Sequence, residues 1–268
     1  ADALRERGGV WFGWNGERDG ETGGEPAVEA IGKVKRVAAP LSPEDVADYY
    51  FGYANSVLWP LFHYRLDLVD YRPAFFAGYS RVNEAFALQL VPFLKPDDLV
   101  WCHDYHLIPL ASQLRRLGCR QRMGFFLHIP FPPPDLLHAS PNHAELVEAL
   151  LDHDVIGFQT HADAGNFRLY LAEHMPAVEV GKNLFRVGER TVLVDRFPIG
   201  IDAAGFAAMA RAADEEVKID LMRRQVLGRR QIIGVDRLDY SKGLPERMKA
   251  FRRLLARHPE LEKTVTFL

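Results

Sequence analysis

The sequence has only two cysteines, Cys102 and Cys119, both in or beside apolar segments. Two cysteines make neither a disulfide scaffold nor a cysteine-based zinc site, so buried, reduced thiols are expected. Long apolar runs are missing as well. The longest, residues 85–94, is interrupted by Gln89 and Pro92, whereas a membrane span needs about 20 residues. There is no excess of basic charge: 33 Lys and Arg against 36 Asp and Glu leave a net charge of −3. That gives no general field for nucleic acid or an anionic membrane, so a bound anion has to be held by local cations. The phosphate-binding patterns Gly-x-Gly-x-x-Gly and Gly-x-x-x-x-Gly-Lys-Ser/Thr are absent, as is the Gly-x-Ser-x-Gly elbow of many hydrolases. Residues 1–9 hold no signal-peptide apolar core. A soluble, cytoplasmic protein is the expectation.

What is there has globular proportions: 48% hydrophobic and 26% charged over 268 residues. A chain of that size buries roughly three quarters of its unfolded surface, enough for a large core in one or two domains. Strands alternate with helices. Residues 10–14 are short and apolar, and the Gly-rich acidic stretch 15–24 reads as a loop. Residues 33–39 suit a strand. Ser42 can cap a helix with Pro43 at its first position, and the chain to Arg65 reads as helical and aromatic-rich. Arg72-Pro73 breaks it, and a second helix is expected at 78–94. Strands are expected at Leu99–His103, 122–127 and 154–159. Helices are expected at 107–117, His143–Leu151 and 162–173, with a rigid proline loop at 128–134. Such apolar strands separated by helices predict a parallel sheet covered on both faces. A hairpin (184–186 and 191–197) and a helical stretch at 203–227 follow. A second αβ unit then starts with a strand at 231–235, a helix at Leu244–Arg257 and a strand at 264–268. One helix between two strands cannot cover both faces of a sheet. The reading is therefore of a fragment: residues 1–228 as a nearly complete first domain with its linker helix, and 229–268 as the start of a second.

In open parallel sheets, ligands bind beyond the carboxyl ends of the strands. Polar residues gather there: His103-Asp104-Tyr105-His106, His128, Gln159-Thr160-His161, and Asp236-Arg237-Leu238-Asp239-Tyr240-Ser241-Lys242-Gly243. Together they describe a cleft between two domains. Around Asp104 three readings stand: a first-row metal site, a carboxylate accepting hydrogen bonds from a polyol, or a helix cap. Asp152-His153-Asp154 resembles the metal-binding Asp-x-Asp of some sugar transferases, but ends a helix and enters a strand, which favours a structural role. Arg237 and Lys242 flank a strand-to-helix turn, where a helix N-terminus and two cations suit phosphate. The rival is an ion-pair network with Asp236 and Asp239. Trp11, Phe12, Trp14, Tyr49, Tyr50, Tyr53 and Trp59 form a dense aromatic set, mostly core. Tyr and Trp also offer stacking faces and polar handles for sugar rings.

The ordered set of segments resembles the trehalose-6-phosphate synthase family over essentially the whole chain. It runs from Trp11-Phe-Gly-Trp-Asn-Gly-Glu17 through Asp48-Tyr-Tyr50, Asn55-Ser-Val-Leu-Trp-Pro60, Phe62-His-Tyr-Arg65 and Tyr79-Ser-Arg-Val-Asn83. It continues through Trp101-Cys-His-Asp-Tyr-His-Leu107, Gly124-Phe-Phe-Leu-His-Ile-Pro-Phe-Pro132, Gly157-Phe-Gln-Thr160 and Pro198-Ile-Gly-Ile201, ending in Asp236-Arg-Leu-Asp-Tyr-Ser-Lys-Gly-Leu-Pro-Glu-Arg247. The resemblance implies an α/β GT-B architecture of two Rossmann-like domains. It implies glucose transfer from UDP-glucose to glucose 6-phosphate, with retention and with no metal or other cofactor. Trp14, Tyr50, Trp59 and Asp104 match acceptor positions. His128 matches a residue at the donor glucose, and Arg237 and Lys242 match the pair on the UDP diphosphate. The family also carries a first strand and Gly-Gly loop before Trp11, and further acceptor-phosphate and donor residues after Leu268. The 268-residue chain alone is therefore expected to be inactive or nearly so. A relative with another acceptor, such as glycerol 3-phosphate or a cyclitol phosphate, and a non-catalytic sugar-phosphate sensor are the alternatives. The oligomeric state, a homo-oligomer included, is left open.

Overall fold

The structure is a computed structural model and describes residues 2–213, 216–226 and 228–268. The chain forms two compact units, Ala1–Ile199 and Gly200–Leu268. The first opens with helix α1 (Asp2–Arg7) and strand β1 (Gly9–Trp14), followed by β2 (Ala27–Ile31) and β3 (Val34–Ala39). β1 runs parallel to β3, and β2 lies antiparallel on the other edge of β3. The sequence pattern does not mark β2. All five of its residues stay exposed, so no buried face sets a period, and a turn through Gly32 at φ 61° folds it back.

The helix after β3 starts as its capping residues predict. The Ser42 hydroxyl accepts from the Asp45 N–H at 3.1 Å, and Pro43 opens α2 (Pro43–Asp45). The helix then widens into a π-helical stretch, Val46–Leu58, closed by α3 (Trp59–Phe62). This widening sets the direction of two aromatic rings. At about 3.6 residues per turn, nine residues make two and a half α-helical turns and would put Tyr50 and Trp59 on opposite sides. The wider i→i+5 turn brings nine residues close to two full turns, and both rings point to the same neighbouring loop. Helix α4 (Pro73–Leu90) begins earlier than residue 78, because Pro73 occupies the first helical position, where its missing N–H has no partner to lose. A Cβ on Gly78 would sit 2.5 Å from the Asp48 Cβ, so α4 and the π-helical stretch meet through this glycine.

The larger sheet contains β4 (Leu99–His103), β5 (Arg122–Phe126), β6 (Val155–Phe158), β7 (Ala177–Gly181), β8 (Leu184–Val187) and β9 (Arg190–Arg196), in the order β4-β5-β6-β9-β8-β7. The first four in that order are parallel, and β8 and β7 add antiparallel strands. Helices α5 (Leu110–Arg116), α6 (Pro134–Leu137), α7 (His143–Leu151) and α8 (His161–His174) lie between the parallel strands in sequence. The parallel core follows from the sequence, but full cover on both faces does not. In β4, Val100 and Cys102 are buried, whereas Leu99 and Trp101 are 68% and 58% exposed. β7 also escapes the sequence pattern, because its residues are mostly exposed. Tyr53, Tyr79, Phe86, Phe125, Phe131 and Phe167 fill the core.

The second unit contains α9 (Ala203–Ala213) and α10 (Val217–Gln225); of the helical stretch expected at 203–227, Asp214, Glu215 and Leu227 lie outside the described residues. Strands β10 (Arg230–Ile232) and β11 (Val265–Phe267) pair in parallel, with α11 (Leu244–Arg257) between them in sequence. Phe251 of α11 stacks on Phe267 at 5.4 Å between ring centroids. Among the described residues, no helix is long and apolar enough to cross a membrane.

Candidate functional site

The chain leaves β4 through a strained residue. Asp104 sits at φ 69° and ψ 166°, a region that costs a non-glycine residue on the order of 1–3 kcal/mol. Its N–H donates to the Phe126 carbonyl at 2.8 Å, and its carboxylate accepts from the Tyr105 N–H at 3.1 Å. Burial raises the Asp104 carboxyl above the usual carboxylate range, while the Tyr105 amide and the adjacent His128 pull it back. Helix α4 clamps the following turn. The Tyr79 hydroxyl donates to the Tyr105 carbonyl at 2.5 Å, and the Asn83 amide donates to the His106 carbonyl at 3.1 Å. Tyr79 and Asn83 are four apart, on one helix face. Their spacing is visible in the sequence, but their target is not.

Aromatic rings form a continuous wall beside this turn. Trp14 meets Tyr50 at 5.1 Å, Tyr50 stacks on His106 at 5.6 Å and 17°, and His106 touches Tyr105 at 4.1 Å. Tyr105 in turn meets Trp59 at 5.9 Å. Trp14, Tyr50 and Trp59 are half-buried, packed against the core on one side. Burial pushes His106 down to about 4, so its ring is neutral near pH 7. Its Nε2 is buried and has no partner among the described residues. Tyr105, which joins His106 to Trp59, is a member of the wall that the sequence gives no role, and His106 enters there only as a neighbour of Asp104.

His128 follows β5, at the head of the proline loop. Helix α8 holds that loop. Asp163 accepts from the Phe131 N–H at 2.9 Å, and the Asn166 amide donates to the Phe131 carbonyl at 2.9 Å. Thr160 caps the helix by accepting from the Asp163 N–H at 3.2 Å. The His128 ring is exposed, and its Nε2 lies 3.0 Å from Nδ1 of His103. The first unit thus gathers Trp14, Tyr50, Trp59, Asp104 and His128 around one loop cluster at the ends of β1, β4 and β5.

Arg237 and Lys242 lie in the second unit, both exposed, in the segment leading into α11. Asp239 shapes that segment by accepting from the Ser241 N–H at 2.8 Å. Gly243 then takes φ 60°, a left-handed conformation that glycine adopts without a Cβ penalty, and α11 begins. Asp236 pairs with Arg247 at 2.5 Å. Asp236, one of the two carboxylates weighed as partners of these cations, is thus engaged by a third, Arg247.

Asp152 and Asp154 take the structural role. Arg190 binds both, at 3.2 and 3.1 Å, while Arg115 and the Met123 N–H bind Asp154 at 3.1 and 2.7 Å. Among the described residues, no cluster of His, Cys, Asp and Glu is arranged to hold a metal ion.

The glycosyltransferase family 20 model matches residues 1–268. A trehalose-6-phosphate synthase from Sinorhizobium fredii is 44% identical over 268 residues, which are 99% of this chain and 58% of that protein. Of solved structures, a UDP-forming α,α-trehalose-phosphate synthase from Burkholderia vietnamiensis aligns with a TM-score of 0.95 at 44% identity, over 99% of this chain and 57% of that one. Another, from Burkholderia xenovorans in complex with glucose 6-phosphate, aligns with a TM-score of 0.94 at 43% identity, over 99% and 60%. The chain spans somewhat more than half the length of these relatives.

Proposed function

This chain belongs to glycosyltransferase family 20 and has its α/β GT-B fold, and on that premise we propose that it is part of a UDP-forming α,α-trehalose-phosphate synthase. The observation that carries the reading is the aromatic wall from Trp14 to Trp59 beside the strained Asp104. Rings with polar edges next to a carboxylate suit a sugar phosphate whose hydroxyls need acceptors. Trp14, Tyr50, Trp59 and Asp104 hold glucose 6-phosphate, and His128 meets the donor glucose. Arg237 and Lys242 grip the diphosphate of UDP-glucose.

In this reading the bond from glucose C1 to the diphosphate oxygen breaks, and C1 bonds to the anomeric oxygen of glucose 6-phosphate. The leaving phosphate oxygen takes the acceptor proton, and reaction on one face keeps the configuration of the donor carbon. Positive charge develops on the sugar and negative charge on UDP. Two preorganised cations stabilise the latter, an effect worth about 3 kcal/mol for a well-placed group. Asp104 acts as a hydroxyl acceptor and not as a nucleophile, and no metal or other cofactor takes part. A cytoplasmic setting fits the two unpaired cysteines.

The test is to incubate the full-length protein with UDP-glucose and glucose 6-phosphate and read the disaccharide phosphate by mass spectrometry, with glycerol 3-phosphate in parallel. Trehalose 6-phosphate supports the reading. Product from glycerol 3-phosphate alone overturns the acceptor. Binding of glucose 6-phosphate without product makes the protein a sensor. The 268-residue chain by itself, spanning 58% of the Sinorhizobium fredii relative, is proposed to give no turnover, and product from the purified chain refutes that.

A further inference from the structure

The carboxyl ends of β4 and β5 bring two histidines together that are 25 residues apart. Nδ1 of His103 faces Nε2 of His128 at 3.0 Å, with the rings 5.3 Å apart and inclined by 22°. The strand register makes this pairing: His103 lies opposite Phe126, and His128 follows two residues later. Trp101 packs against His103 at 4.5 Å, and Phe126 packs against His128 at 4.8 Å, so neither ring turns freely.

Two facing imidazole nitrogens at hydrogen-bond distance hold a single proton between them. If both carry one, N–H points at N–H; if neither does, two lone pairs meet. A neutral imidazole has one donor and one acceptor nitrogen, so fixing the state of one nitrogen fixes the other. The place of that proton thus decides what His128 shows at its remaining nitrogen, Nδ1: an N–H when His103 Nδ1 donates, a lone pair when a neutral His128 donates from Nε2. Burial, with the neighbouring His128 as a lesser cause, holds His103 below the usual histidine range, which favours a neutral His103 ring.

We propose that His103 is a positioning residue: its hydrogen bond selects the tautomer and ring orientation with which His128 meets the donor sugar. The donor contact of His128 is taken from the function proposed above, and the inference rests on that reading for its catalytic consequence.

The experiment labels the protein with ¹⁵N-histidine and reads the ring-nitrogen shifts of His128 by long-range ¹H–¹⁵N correlation. The variants are His103→Phe, which keeps a ring against Trp101 without nitrogen, and His103→Asn, which keeps a polar atom near the Nδ1 position. The expected result is widely split nitrogen shifts for His128 in the parent protein, signifying one tautomer. They converge in His103→Phe and split again in His103→Asn. Averaged shifts already in the parent, or an unchanged split in His103→Phe, overturn the proposal. Rates of the full-length protein then separate it from the functional reading. In His103→Phe, kcat is expected to fall roughly ten- to a hundred-fold, as for a slightly misplaced group, while KM for glucose 6-phosphate holds. Converged shifts with an unchanged kcat leave the positioning role standing and remove His128 from the reaction.

Discussion

The Asp104 N–H donates to the Phe126 carbonyl at 2.8 Å, one residue beyond the last paired position of β4 and β5, and this bond holds Asp104 at φ 69° and ψ 166°. A residue forced into a nearly glycine-only conformation by its neighbours marks a place where side-chain identity outweighs backbone comfort.

Asp104→Gly removes the strain and the carboxylate together. Its stability in urea is expected to match the parent or exceed it by about 1 kcal/mol, within the 1–3 kcal/mol such strain costs. Binding of glucose 6-phosphate, followed by calorimetry, is expected to be lost. An unfolding midpoint clearly below the parent's would contradict the strain argument.

Two glycines give opposite outcomes for one substitution. A Cβ on Gly78 meets Asp48 Cβ at 2.5 Å, a contact fixed to the helix backbone, whereas a Cβ on Gly165 in α8 meets nothing within 4 Å. Gly78→Ala is expected to destabilise by about 1–3 kcal/mol through overpacking. Gly165→Ala is expected to stabilise by roughly 0.5–1 kcal/mol through helix propensity. Chemical denaturation of both variants checks the pair.

Acid should weaken the fold through His153. Burial lowers this imidazole to about 4 from an ordinary 6.5, and its Nδ1 lies 3.1 Å from the Leu150 carbonyl. The unfolded chain takes up the proton first as pH falls, so the stability is fully present above 6.5 and is lost on descent toward 4. The shift corresponds to roughly 3 kcal/mol. His153→Asn keeps a donor at that position and cannot titrate. Its urea midpoint is expected to fall less steeply between pH 7 and 5, and a slope equal to the parent's would show that His153 is not a main acid sensor.

Arg237→Ala and Lys242→Ala are each expected to weaken UDP binding by about 1.5–3 kcal/mol, the range for hydrogen bonds to charged groups. The loss should shrink as salt screens the exposed charges. Calorimetry with UDP on the full-length protein at two ionic strengths reads both effects. Unchanged affinity in both variants removes the diphosphate role.

The aspartates of Asp152-His153-Asp154 should behave as structural groups. Asp154→Asn loses charge opposite Arg115 and Arg190 and is expected to cost about 1–2 kcal/mol of stability. Chelator treatment of the full-length protein should leave its rate unchanged. A rate restored only by added divalent cation would reverse this assignment.

The sequence by itself determined the alternation of strand and helix, the Ser42-Pro43 helix start, the parallel strand core and the ordered motifs that mark the family. These follow from local periodicity and capping chemistry, which a linear chain displays. It did not disclose β2 or β7, whose exposed residues leave no period to read, and it started α4 late because a proline can either break a helix or begin one. Tertiary structure alone decided how the candidate residues meet. The π-helical widening turns Tyr50 and Trp59 to one side, the bond from Asp104 to Phe126 sets the strained turn, and the register of β4 against β5 places His103 on His128. The last two depend on contacts between segments distant in sequence, which no local pattern encodes, and the widened turn falls in a stretch whose sequence reads only as helical.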